Sequence, residues 1–246
     1  MIPLISILNI VNFVVPILIS ARTYRAYRTS RSRLLLYFSL ASFFFSFYWL
    51  FGSSPGIIFT DLYDIGVVNV LRFVFLYMTL IFIVQIPFSL ITYKFLGLLF
   101  SFLVVVGGIL FVSVGFLQLS PAKMVITSPF VYWVPVFPRW IETMTGVFSS
   151  VALSVFVAVF SYLAWRDWPH AMLRRRSLMI ITGMWVMLIG GIFRFLIGGI
   201  LDFYFTYAIS TIFVTIGLLI ISDGIMHEHK HATQQPRDIY ESQIPA

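Results

Sequence analysis

Residues 66–118 read GVVNVLRFVFLYMTLIFIVQIPFSLITYKFLGLLFSFLVVVGGILFVSVGFLQ. Across this stretch only Arg72 and Lys94 carry charge. A helix needs about 20 mostly apolar residues to cross a hydrocarbon core, so the stretch is long enough for two crossings. The one polar interruption is at Tyr93 and Lys94, which places two spans at 66–92 and 95–118. This reading decides the fold. Two spans here make seven in all; a single long one makes six and puts the carboxyl-terminal tail on the side opposite the basic loops.

Working outward, apolar runs at 2–20, 34–52, 141–165, 177–200 and 203–222 have the same character. The expected architecture is an all-α membrane protein, a bundle of about seven transmembrane helices over residues 1–222. A short polar tail, 223–246, is expected to be cytoplasmic and disordered. No basic region precedes the first run and no small-residue cleavage site follows it, so it reads as a retained helix and not a secretory signal. The segment 119–140, with Pro121, Pro129, Pro135 and Pro138, is too apolar for a solvated loop. It is expected to lie along the interface or fold back over the bundle. Pro16 and Pro87 fall inside spans and are expected to kink them.

Composition agrees. Of 246 residues, 60% are hydrophobic and 10% charged, against roughly a quarter charged in soluble domains. The mean hydropathy is +0.99. A soluble fold of this composition would leave large apolar patches in water. There is no cysteine, which excludes disulfides, iron–sulfur clusters and thiolate chemistry.

The basic residues set the expected orientation. Arg22, Arg25, Arg28, Arg31 and Arg33 follow the first span, Lys94 follows the third, Arg166, Arg174, Arg175 and Arg176 follow the fifth, and Lys230 and Arg237 lie in the tail. The opposite side holds only Lys123 and Arg139. By the positive-inside rule the amino terminus is outside and the carboxyl terminus cytoplasmic. The inner basic loops are expected to bind anionic lipid headgroups. Their position beside the spans argues against nucleic acid.

Two arginines fall within spans, Arg72 and Arg194. Each lies about six residues inside the outer end of its predicted helix, roughly 9 Å deep. Intramembrane charge is costly and generally faces the bundle interior, with a partner close by. Acids expected near the outer ends are Asp61, Asp64, Glu142 and Asp202. Asn69 shares a helix face with Arg72, and Gly190, Gly191 and Gly198 share one with Arg194. The functional expectation is an outward-opening cavity in which Arg72, Arg194, Asn69, Asp64, Glu142 and Asp202 hold a small anionic ligand, such as a carboxylate or phosphate. The structural alternative is that each arginine pairs with a rim acid and fixes packing, or snorkels outward.

Two polar stripes complete the candidates. Tyr204, Tyr207, Thr211, Thr215 and Ser222 lie within about 60° of one another on helix seven. Asn9, Asn12, Pro16 and Ser20 form a stripe on helix one. Either they border a hydrated path or cleft between helices one and seven, or they only hydrogen-bond across the interface. His227, His229 and His231 on the tail lack the rigid surroundings of a metal site, and no predicted span contains a histidine. No cofactor, metal site or catalytic residue is expected. Phosphate-cradling glycine loops, HExxH and GxSxG are missing from the sequence.

The layout is similar to that of rhodopsins and of the seven-helix input modules of some prokaryotic sensor kinases. Retinal proteins carry a lysine on the last helix, and 203–222 has none, so retinal attachment is not expected. The functional expectation is therefore a sensing, ligand-binding or accessory module of the cell membrane, with a membrane protein partner carrying any output. A small-solute or ion transporter and a structural subunit of a membrane complex are the alternatives.

Overall fold

A computed structural model describes residues 2–90, 94–127, 129–166, 171–193 and 203–232. Among these, seven helices are long and apolar enough to cross a bilayer, and the chain is a multi-pass, all-α membrane protein. The helices are α1 (Leu4–Ser30), α2 (Arg33–Ser53), α3 (Leu62–Leu90), α4 (Lys94–Leu117), α5 (Arg139–Arg166), α6 (Ala171–Ile192) and α7 (Phe203–Ala232). Six form a ring in which α1 meets α2, α2 meets α3, α3 meets α5, α5 meets α6, α6 meets α7, and α7 returns to α1. Helix α4 stands outside, against α3 and α5. Its outer face, with Phe95, Leu98, Phe102 and Ile109, is exposed and apolar apart from Ser113, as suits a lipid-facing helix.

Helices three and four are separate. Gln85 donates from Nε2 to the Gly97 carbonyl at 3.1 Å and to Ser101 Oγ at 2.7 Å. Further along, Gly108 lies against Tyr77 and Gly115 against Val70. As α3 positions rise the α4 positions fall, which is the signature of an antiparallel helical hairpin.

Local chemistry explains where elements stop. Asp61 Oδ1 accepts from the backbone N–H groups of Tyr63 (2.8 Å) and Asp64 (3.1 Å), capping the start of α3. Helix α1 continues beyond its predicted end at Ser20, so Arg22, Arg25 and Arg28 are helical. It ends at Arg31, whose φ of 55° is left-handed and reverses the chain into α2. Both α1 and α3 remain helical through Pro16 and Pro87.

Two segments differ from expectation. The proline-rich connection contains an antiparallel hairpin, β1 (Lys123–Thr127) with β2 (Phe130–Val134). Its backbone also pairs with the chain start: Ile2 N–H donates to the Pro129 carbonyl and Val131 N–H to the Ile2 carbonyl, both at 3.1 Å. Strand pairing satisfies backbone groups that a plain apolar loop would leave unpaired. The second correction concerns the tail. Helix α7 runs on to Ala232, so the chain just past Ser222 is helical and not disordered. Gly224 lets it lie close to α6, with Ile225 and Met226 buried there. Residues 233–246 lie outside the described residues.

Glycines set the α6–α7 contact. A Cβ on Gly217 would lie 2.6 Å from the Gly183 carbonyl oxygen, and one on Gly183 would lie 2.7 Å from the Gly217 carbonyl. Backbone meets backbone, so neither neighbour can rotate away. Close approach of this kind drives helix association in lipid through van der Waals contact. Gly217→Val is therefore expected to lower unfolding free energy by about 1–3 kcal/mol, the range for overpacked sites. Reversible denaturation in mixed micelles measures it, and Gly191→Ala, with nothing near its added Cβ, is the matched control.

Candidate functional site

Arg72 lies ten positions along α3 from Leu62, about 15 Å at helical rise. Only 4% of it is exposed. Its guanidinium sits over the Tyr48 ring, with Cζ 4.2 Å from the centroid. The hydroxyls of Tyr48 and Tyr207 are its polar neighbours. Gly52 makes room for it: a Cβ there would lie 3.0 Å from Cζ and 3.1 Å from Nη2. Arg72 forms no ion pair with any described residue, and its Nε and Nη2 have no hydrogen-bond partner. Asn69, one turn earlier and 3% exposed, also leaves its Nδ2 without a partner.

The surrounding helices are tied to this point. Asn9 donates from Nδ2 to the Gly52 carbonyl at 2.5 Å and accepts from the Tyr207 hydroxyl at 2.6 Å. One turn earlier on α1, Ser6 Oγ donates to the Pro55 carbonyl. Further along, the Thr215 hydroxyl donates to Asn12 Oδ1 at 2.6 Å. The two polar stripes thus meet, joining α1 to α7 through Asn9–Tyr207 and Asn12–Thr215. Over the top lies β2. Trp133 packs on Gly56, whose φ of +74° favours glycine and whose added Cβ would clash with the indole at 2.1 Å. Trp133 and Pro135 roof a cavity of about 20 Å3 beside Arg72 and Asn69.

Of the remaining sequence candidates, Asp64 and Glu142 are exposed in the first turns of α3 and α5, apart from Arg72. Arg194 and Asp202 lie outside the described residues. So does the side chain of Tyr204, although its backbone is in α7.

A second and larger space was not foreseen. Inside the ring is an apolar slot of about 110 Å3 between α2, α3, α5, α6 and α7. Its lining runs from Phe38 to Trp49 on α2 and from Tyr207 to Ile221 on α7, about 16 and 21 Å of helix respectively. Tyr48 and Tyr207 stand at its hairpin end, between the slot and Arg72. Four lining side chains have a buried polar atom with no partner: Ser42 Oγ, Trp49 Nε1, Ser149 Oγ and Thr211 Oγ1. Buried polar groups are nearly always satisfied, so four around one space is a signal. Ser39, Ser42, Ser46 and Ser53 recur at helical spacing on α2, but only Ser42 lines the slot, while Ser39 bonds to Ser20 of α1.

Comparison with protein-family models, with curated proteins and with solved structures finds no match for this chain.

Asn9 is the junction of three helices, which gives a quantitative expectation. Asn9→Leu removes bonds to both Gly52 and Tyr207, whereas Tyr207→Phe removes only one of them. Interhelical hydrogen bonds average about 0.6 kcal/mol and reach about 1.7. Asn9→Leu is expected to cost about 1–2 kcal/mol, more than Tyr207→Phe, and the double variant less than their sum. A double-mutant cycle by reversible unfolding reads all three values.

Proposed function

We propose that this protein is a ligand-binding or sensing module of the cell membrane, and that its ligand is a slender lipophilic molecule held within the ring of helices. The observation that carries this reading is the slot with its four unpartnered polar groups. Apolar pockets with a few convergent polar groups are the usual form of small-molecule sites. The slot's shape narrows the class. A dry apolar cavity of about 150 Å3 is enough for benzene; this smaller volume follows some 16–21 Å of helix, which suits a linear chain better than a ring system. Its polar groups narrow it again. Trp49 Nε1–H is a donor only, so the ligand carries an acceptor oxygen near Trp49 and Tyr48. A long-chain molecule ending in a carbonyl, carboxyl or hydroxyl group meets both conditions.

In this reading the hairpin faces outside and the arginine-rich end faces the cytoplasm, in keeping with the charge distribution. Arg22, Arg25, Arg28 and the arginines at the start of α6 rest on anionic headgroups. A membrane protein partner would receive the signal. The reach of the slot to Leu218 and Ile221 favours a second reading, passage of an apolar solute through the bundle.

Binding is measured by quenching of tryptophan fluorescence with brominated fatty acids or fatty alcohols added to the purified protein. Saturable quenching, lost in Trp49→Phe, is the expected result. Ser42→Phe fills the slot with a ring and is expected to weaken binding at least tenfold without lowering thermal stability. Quenching that never saturates, or that Ser42→Phe leaves unchanged, sinks the reading. Movement of the same lipophile between leaflets of proteoliposomes separates passage from simple binding.

A further inference from the structure

The small cavity at the hairpin end presents a separate problem. A guanidinium cannot shed its proton at any ordinary pH, so Arg72 carries a full positive charge inside the bundle. Burying an uncompensated charge costs several kcal/mol even after relaxation. Stacking on Tyr48 recovers only a small part of this. No carboxylate among the described residues reaches it.

The donor set says what is missing. Three buried nitrogens, Arg72 Nε, Arg72 Nη2 and Asn69 Nδ2, lack a partner, and both residues line the same cavity. All three are N–H donors. The backbone carbonyls nearby are already engaged, Gly52 by Asn9 and Pro55 by Ser6. An occupant that accepts from all three satisfies them at once. A water molecule would leave the charge uncancelled. The cavity of about 20 Å3 holds one body near the size of a water molecule, which leaves no room for a phosphate or a carboxylate-bearing molecule.

We propose that the space between Arg72 and Asn69 is a binding site for a single halide ion, chloride in ordinary media. The ion accepts from Arg72 Nε, Arg72 Nη2 and Asn69 Nδ2 and neutralises the guanidinium. The small anion expected from the sequence is thereby narrowed to a monatomic one. Trp133 and Pro135 close the site from the hairpin end, and α1, α2, α3 and α7 converge on it, so the ion acts as a structural counterion that locks these elements together. This does not depend on the lipophile reading, since the slot lies on the far side of Tyr48 and Tyr207.

The test uses the full chain in detergent, with thermal unfolding followed by tryptophan fluorescence in sodium chloride, bromide or gluconate at matched ionic strength. Chloride and bromide are expected to raise the midpoint over gluconate in a saturable way, by about 5–10 °C at a hundred times the dissociation constant. Arg72→Met replaces the cation with an apolar chain of similar length and is expected to unfold at one temperature in all three salts. Asn69→Leu keeps the charge but removes a donor, and is expected to weaken halide affinity at least tenfold. If Arg72→Met does not fold, Asn69→Leu still decides. Equal midpoints for the unaltered protein in all three salts would mean that water fills the cavity and would overturn the proposal. So would a halide shift that persists unchanged in Arg72→Met or Asn69→Leu.

Discussion

A permanent charge placed within an apolar bundle constrains everything around it. Arg72 cannot be neutralised by losing a proton, and lipid offers it nothing. Its surroundings answer in several ways at once. Tyr48 gives it an aromatic face, Gly52 gives it space, and Tyr207 and Asn69 supply polar company. Each of these residues comes from an element that must then be held in place. Asn9 ties α1 to α2 and α7, and the hairpin seals the end through Trp133 on Gly56. The hairpin end of the fold is organised by one side chain.

Tyr48 and Tyr207 divide the interior into two chemistries. On one side is a small, donor-rich and positively charged space; on the other is a long apolar slot with scattered hydroxyls. The amphipathic ring of tyrosine suits this boundary, since its phenol serves the polar side and its edge the apolar one. Elsewhere the packing uses a different device. The α6–α7 seam depends on Gly183 and Gly217, and the α1–α2 seam on Ser20 and Ser39, each hydroxyl donating to the other's backbone carbonyl at 2.9–3.0 Å. Small side chains let helices approach in a solvent that exerts no hydrophobic pressure between them.

Much of the site was legible as residue types and little of it as geometry. Arg72 and Asn69 were visible because charge and amide are rare in a span and stood three residues apart. The pairing of helices one and seven followed from their polar stripes. Tyr48, Gly52 and Trp133 carried no such mark, because tyrosine, glycine and tryptophan are ordinary in membrane helices and interfaces. The acids Asp64 and Glu142 were plausible partners by depth alone. Their helices turn them to the surface, which depth does not reveal. The hairpin escaped notice because prolines and apolar residues dominate its segment, and its strands are stabilised by pairing with Ile2 more than a hundred residues away.

By itself the sequence determined the solvent, the class and the count: apolar runs of bilayer length can exist only as spanning helices, because every backbone polar group must be bonded within the segment. That logic is local, so it can be read along the chain, and it placed even the break at Lys94 within a few residues. The tertiary structure alone decided which side chains share a space. It set α4 outside the ring, opened a slot that α5 and α6 help to line, and left Arg72 without an acid among the described residues. These outcomes depend on how helices rotate and how closely they approach. Both are set by contacts between residues far apart in sequence, such as Asn9 with Tyr207 and Gly183 with Gly217, which no local pattern records.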